Sequence, residues 1–238
     1  MPHPLYIIAG FLPSIVWLLF YLRKDSHPES NSMIIKVFLL GMAVAAPVVF
    51  IEKGFFSLTE KLALPTLALI LANVFIGISL TEEFFKFLVV RLAIFRSSEL
   101  DEPPDILLYM IIAALGFAAS ENILLLYHNH PLLKLPGDVI SLVAIRFIGA
   151  TFLHALCSGV MGFFLALSVL EIRKKTRFIL LGLFASTALH GLYDFSIITV
   201  EDPYLRFVIP ILILLSLAAF VSLYFQRLKR IRSICRIK

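Results

Sequence analysis

A chain of 238 residues that is 60% hydrophobic and only 16% charged, with a mean hydropathy of +0.97, cannot be a soluble globular domain. Apolar runs long enough to cross a bilayer recur along its whole length, so the fold class is an all-α polytopic transmembrane bundle rather than a β-barrel, whose strands would show short alternating segments. The formal net charge of +5 sits in short loops and the tail, which excludes a nucleic-acid partner in favour of membrane lipids and topology signals.

The first span covers residues 5–22, followed directly by Arg23-Lys24 with no Lys or Arg before it, an order that puts the N-terminus outside. It reads as a retained anchor, because the basic n-region and the small-residue cleavage site of a signal peptide are missing. A polar loop with His27-Pro28 leads to the second span, 33–51, in which Lys36 can snorkel and Pro47 can kink or end the helix. A half-apolar loop from Glu52 leads to the third span, 65–95, which starts at Pro65 and contains Glu82-Glu83-Phe84-Phe85-Lys86. At ~1.5 Å per residue this helix outruns the hydrocarbon core and must tilt, break or emerge.

The fourth span, 106–127, carries Gly116-Phe117-Ala118-Ala119-Ser120-Glu121-Asn122, small residues that allow close helix approach beside a lone Glu. The fifth, 139–170, carries Arg146, His154 and Ser158. The sixth, 178–200, carries His190 and Asp194, and the seventh, 207–225, is featureless apart from Pro210. Residues 226–238 form a basic tail. Seven spans with the N-terminus outside put Arg23-Lys24, Arg96, the 171–177 loop and the tail on the cytoplasmic side, leaving Lys53, Lys61, Lys134 and Arg206 opposite, in agreement with the positive-inside rule. Residues 1–225 thus read as one membrane-embedded domain. Cys157 in a span and Cys235 in the tail offer no disulfide framework.

Ionisable groups inside spans are costly and mark sites. Glu82 and Glu83 stand next to each other, with Lys86 one turn on from both, a spacing also found in surface salt-bridge clusters. Glu121 shares a face with Phe117 and has no basic neighbour in sequence. His154 shares its face with Thr151 and Ser158. His190 and Asp194 are four apart, so the carboxylate can accept an imidazole N–H, fix the tautomer and raise the basicity of the other nitrogen. Arg91 and Arg146 read as snorkelling residues. No serine lies in a nucleophile signature, and no soluble-type zinc motif is present. Carboxylates with imidazoles are equipment for activating water. Either Glu is a general base with His polarising the carbonyl, or Glu83, Glu121, His154 and His190 hold a divalent cation such as zinc.

The set Glu82-Glu83-x-x-Lys86, Phe117-x-x-x-Glu121, His154 and His190-x-x-x-Asp194 resembles the PrsW family of intramembrane proteases, a branch of the group that includes CAAX prenyl endopeptidase-like and bacteriocin-immunity membrane proteins. The likeness covers roughly residues 76–195. The broader group carries EExxxR and a second-motif His; this chain has Lys86 with no Arg at the expected spacing, and Glu121 in place of the His, departures that argue against a prenyl-protein substrate. The resemblance implies hydrolysis of a peptide bond in or near a prokaryotic plasma membrane, on a single-pass protein such as an anti-sigma factor. It makes Glu82, Glu83 and a downstream His the catalytic candidates, and His190 with Asp194 matches the last motif better than His154 does. A ceramidase-like lipid amidase and an ion-coupled transporter are the rival readings of the same residues. By residue counting, Glu82-Glu83 and His154 lie nearer the cytoplasmic side, His190 near the middle and Glu121 further outside, a spread of about 15 Å.

Overall fold

The computed structural model describes residues 4–25, 28–95, 97, 100, 102–129, 133 and 135–230. His27, Arg96, Lys134, Cys235 and the tail from residue 231 onward lie outside the described residues. The elements among the described residues are α1 (Pro4–Leu22), α2 (Asn31–Lys61), α3 (Thr66–Leu71), a π-helical segment (Ala72–Leu80), α4 (Thr81–Ala93), α5 (Pro103–His128), α6 (Pro136–Ile148), α7 (Ala150–Leu170), a 3-10 turn (Ile172–Lys174), α8 (Lys175–Thr199) and α9 (Pro203–Lys229). The run from α3 through the π segment to α4 is continuous, and α6 with α7 forms one crossing. Counted so, 7 helices among the described residues are long and apolar enough to span a membrane, as expected of an all-α polytopic bundle.

Local chemistry sets the helix starts. Ser30 Oγ accepts from the Met33 N–H at 3.3 Å, and Asp202 Oδ1 accepts from the Leu205 N–H at 2.8 Å ahead of α9. α5 opens on Pro103-Pro104, which need no intrahelical donor there, and Asp105 accepts from the Glu102 N–H at 2.7 Å.

α5 and α7 form the centre of the bundle. Side chains from Ile106 to Leu115 are all buried, and α7 is buried along most of its length, whereas α1, α2, α8 and α9 expose Ile8, Phe50, Phe184 and Leu223 outward. Large apolar side chains on the periphery invert the pattern of a soluble protein and suit contact with acyl chains. Apolar contact between helices gains little in lipid, so close approach has to do the work. A Cβ at Gly116 would run into the Phe38 carbonyl and one at Gly41 into the Ala113 carbonyl, so these two glycines let α2 and α5 touch backbone to backbone.

Two local differences from the sequence expectation bear on the site. α2 does not end near Ile51 but continues to Lys61, so Glu52 is a helical residue rather than a loop residue. The helix expected over 139–170 is broken at Gly149, which separates the 13-residue α6 from α7. A Cβ at Gly149 would meet the Tyr193 hydroxyl at 2.7 Å and the Ile145 carbonyl at 2.9 Å, so glycine at the break avoids crowding both α8 and the last turn of α6. Trp17 of α1 fastens this junction: it stacks on Phe152 with centroids 4.0 Å apart and donates from Nε1 to the Phe147 carbonyl at 2.9 Å.

Candidate functional site

Immediately before Glu82 the chain is wound as a π-helix for 9 residues. Side chains support the wider turn: Ser79 Oγ donates to the Val74 carbonyl at 2.8 Å and Thr81 Oγ1 to the Ile76 carbonyl at 3.2 Å, each five residues back. The Thr59 hydroxyl of α2 donates to Asn73 Oδ1 at 2.7 Å, near the start of the segment. A π turn takes up more residues than an α turn, so it re-aims everything after it. The residues re-aimed here are Glu82 and Glu83, both directed into the bundle and both buried.

Lys86, with 0% of its side chain exposed, draws the two carboxylates together: Nζ lies 3.0 Å from Glu82 Oε2 and 2.8 Å from Glu83 Oε1. The third partner comes from α7, since His154 Nδ1 is 2.9 Å from the same Nζ. An ammonium only donates, so His154 Nδ1 carries the lone pair and its proton sits on Nε2. That Nε2 faces Glu121 Oε2 at 2.7 Å. His190 of α8 faces Glu83 Oε1 through Nδ1 at 3.1 Å and Asp194 Oδ2 through Nε2 at 3.4 Å. The two imidazoles meet edge to face, with centroids 5.1 Å apart.

All seven residues singled out from the sequence are therefore joined by direct contacts, and the expected ~15 Å spread is not found. The reason is the direction of side chains. In a helix every side chain leans toward its own N-terminus, and successive spans run in opposite directions. Glu82 and Glu83 on α4 and His154 on α7 lean one way, while Glu121 on α5 and His190 on α8 lean the other. Residues that a count along the axes separates are brought to the same level by their own reach.

Donor atoms of Glu82, Glu83, His154 and His190 all lie within 4.8 Å of one another. Two carboxylates and two imidazoles make a donor set suited to zinc or a similar divalent cation. Behind each imidazole stands a further carboxylate, Glu121 for His154 and Asp194 for His190, the arrangement that orients metal-binding histidines. Glu121 lies on the outer side of His154 rather than among the four converging donors.

The cluster opens onto a cavity of about 230 Å³ lined by Glu82, Glu121, Arg146, His154, His190 and Asp194 together with apolar groups including Ile78, Leu153 and Ile197. Glu82 lines it; Glu83 does not. Glu83 is enclosed by Lys86, His190 and Ser158, whose Oγ donates to Glu83 Oε2 at 3.2 Å.

Sequence reasoning missed two residues. Arg146, read as a snorkelling residue, pairs instead with Glu121 at 2.9 Å and donates from Nε to Asn122 Oδ1. Asn122 in turn reaches Thr151 Oγ1 at 3.1 Å and the Gly10 carbonyl at 3.3 Å, so α1, α5, α6 and α7 meet at this network. Glu52 of α2 lies close enough to Glu82, Glu121, Lys86 and His190 to feel their charge, and its Oε1 is buried without a hydrogen-bond partner among the described residues. Helical continuity past Ile51 was the signal that could have placed it.

Comparison with known proteins gives consistent results. The sequence model of the family described as "PrsW family intramembrane metalloprotease" matches residues 29–223. A protein named "Protease PrsW" from Geobacillus kaustophilus is 31% identical over 196 residues, 82% of this chain and 80% of the relative. Proteins of the same name from Oceanobacillus iheyensis and Bacillus subtilis are 29% identical over 187 residues, covering 79% of this chain and 80% of the relative, and 27% over 211, covering 88% and 89%. No solved structure matches the chain significantly.

Proposed function

The chain belongs to the PrsW family of intramembrane metalloproteases and is an integral protein of a prokaryotic plasma membrane; on that premise we propose that Glu82, Glu83, His154 and His190 are the residues that bring water to a peptide bond. The observation that carries this reading is the convergence of their donor atoms to within 4.8 Å inside a helical bundle, at the wall of a cavity.

Of the two adjacent carboxylates, Glu82 faces the cavity and is the group positioned to take a proton from water there. Glu83 holds the floor of the site, sharing Oε1 between Lys86 and His190. A neutral imidazole donates from one nitrogen only, so the chain Glu83–His190–Asp194 can pass a proton by switching which nitrogen carries it. His154, its Nε2–H fixed by Glu121, keeps Nδ1 directed at the centre. Glu82, Glu83, His154 and His190 would hold the divalent cation that the family description implies. When bound it would supply Lewis-acid polarisation of the scissile carbonyl.

The substrate we propose is a single-pass membrane protein, such as an anti-sigma factor, with its cleaved segment unwound into the cavity. The apolar lining residues Ile78, Leu153 and Ile197 suit a segment arriving from hydrocarbon, and the polar lining residues suit exposed peptide groups. Residues 1–225 act as one membrane-embedded domain, with the N-terminus outside and the tail of residues 226–238 cytoplasmic; the bias of Lys and Arg toward alternate loops supports this orientation.

The test is cleavage of a co-expressed single-pass protein together with elemental analysis of the purified chain. His154→Ala and His190→Ala are each expected to slow cleavage by about 100-fold or more, and the double variant to lose bound zinc. Parental processing by His190→Ala, folded and inserted in the membrane, would discard this assignment.

A further inference from the structure

We infer that Lys86 is the resident occupant of the cation position: its ammonium group and a divalent metal ion are alternative, mutually exclusive occupants of the same carboxylate and imidazole donors. The inference rests on the reading of Glu82, Glu83, His154 and His190 as the metal-holding set.

Helical periodicity makes the placement obligatory. Lys86 comes four residues after Glu82 and three after Glu83, so its side chain lies over both carboxylates on one face of α4. Its three N–H groups have three acceptors: Glu82 Oε2 at 3.0 Å, Glu83 Oε1 at 2.8 Å and His154 Nδ1 at 2.9 Å. The face of the Phe117 ring, with its centroid 4.6 Å from Nζ, closes the remaining side. Lys86 is 0% exposed, so its ammonium is held by these protein groups rather than at the surface. A zinc ion held by this set would draw on the same two carboxylates and on His154, whose free lone pair is at Nδ1, at about 2.0–2.2 Å. The His154 Nδ1 lone pair cannot serve both cations, and two cations held this close by the same groups repel each other strongly.

The ammonium has two effects in this chain. It keeps the buried carboxylates neutralised and the site assembled before any metal arrives. It also sets a threshold, since only an ion that outcompetes a satisfied ammonium can enter. A salt bridge that merely stiffens α4 would have neither property, and removing it would leave metal affinity unchanged or lower it.

The experiment is a Co²⁺ titration of the purified full chain, read by the visible absorption of the bound ion, with Zn²⁺ displacement as a check. The parent is compared with Lys86→Met, Lys86→Gln and the double variant Lys86→Met, Glu83→Gln. Lys86→Met and Lys86→Gln are expected to bind Co²⁺ at least about tenfold tighter than the parent, and the gain is expected to vanish with Glu83→Gln. Zn²⁺ is expected to raise the melting temperature of Lys86→Met more than that of the parent, so a variant that folds only with metal reads the same exchange. Equal or weaker Co²⁺ binding by both single variants, with binding still lost in the double variant Lys86→Met, Glu83→Gln, overturns the inference and leaves the metal-holding set standing. No binding sensitive to Glu83 in any of the proteins removes that set and the inference together.

Discussion

Glu82 and Glu83 are neighbours in sequence but differ in surroundings, and that difference separates their expected phenotypes. Glu82 lines the cavity and also pairs with Lys86, so Glu82→Gln should lower the cleavage rate and lower the melting temperature less than the matching change at Glu83. Glu83 is fully enclosed, and Glu83→Gln weakens the anionic partner of both Lys86 and His190. It is expected to slow cleavage and also to destabilise the fold by ~3 kcal/mol, checked by thermal unfolding in detergent. Arg146 acts one step further out, through Glu121 on the orientation of His154. Arg146→Lys should retain most activity, whereas Arg146→Gln should shift the pH–rate profile and lower the maximal rate, with the profile itself as the measurement. The seven residues that converge were legible because an ionisable side chain in hydrocarbon has few innocent explanations. Arg146 was not: a cation near a span end looks the same whether it snorkels to lipid heads or turns inward to a carboxylate on the preceding span.

Helices show the same contrast between what composition carries and what it does not. Hydropathy averaged over a window finds the spans, because crossing a membrane demands an unbroken apolar length. It does not register how the backbone is wound within that length. The π segment Ala72–Leu80 and the break at Gly149 leave the average unchanged, yet the first aims Glu82-Glu83 and the second starts α7 afresh just before His154. Their signals are single residues: Ser79 and Thr81 bonding five residues back, and Gly149 under the Tyr193 hydroxyl. Small residues in α5 were legible as a packing face, and that face meets α2. Gly116→Val would push a branched side chain into the Phe38 carbonyl, and is expected to cost about 1–3 kcal/mol or more as α2 and α5 are forced apart. Thermal unfolding reads the loss, and a parental melting temperature would refute the backbone contact.

Across the whole molecule, the bundle is inverted relative to a soluble protein, with apolar side chains outside and its costliest polar groups gathered between α4, α5, α7 and α8. The spans and their number were legible from sequence; the common level of the polar groups was not, because it depends on opposed helix directions and side-chain reach rather than on position along each span. Orientation in the membrane has its own test. A membrane-impermeant thiol reagent applied from outside to intact cells is expected to label a cysteine introduced at Glu201, in the turn before α9, and to spare one introduced at Lys174 until the membrane is opened.

The most direct measurement is the initial rate at which the full chain, reconstituted in vesicles with a single-pass membrane protein that it cleaves, turns over when Glu82 is changed to Gln. With the helicity of the parent and a cooperative unfolding transition above the assay temperature, the rate is expected to fall by about 100-fold or more. Cleavage at the parental rate would contradict the central claim that this buried cluster of carboxylates and imidazoles activates the attacking water.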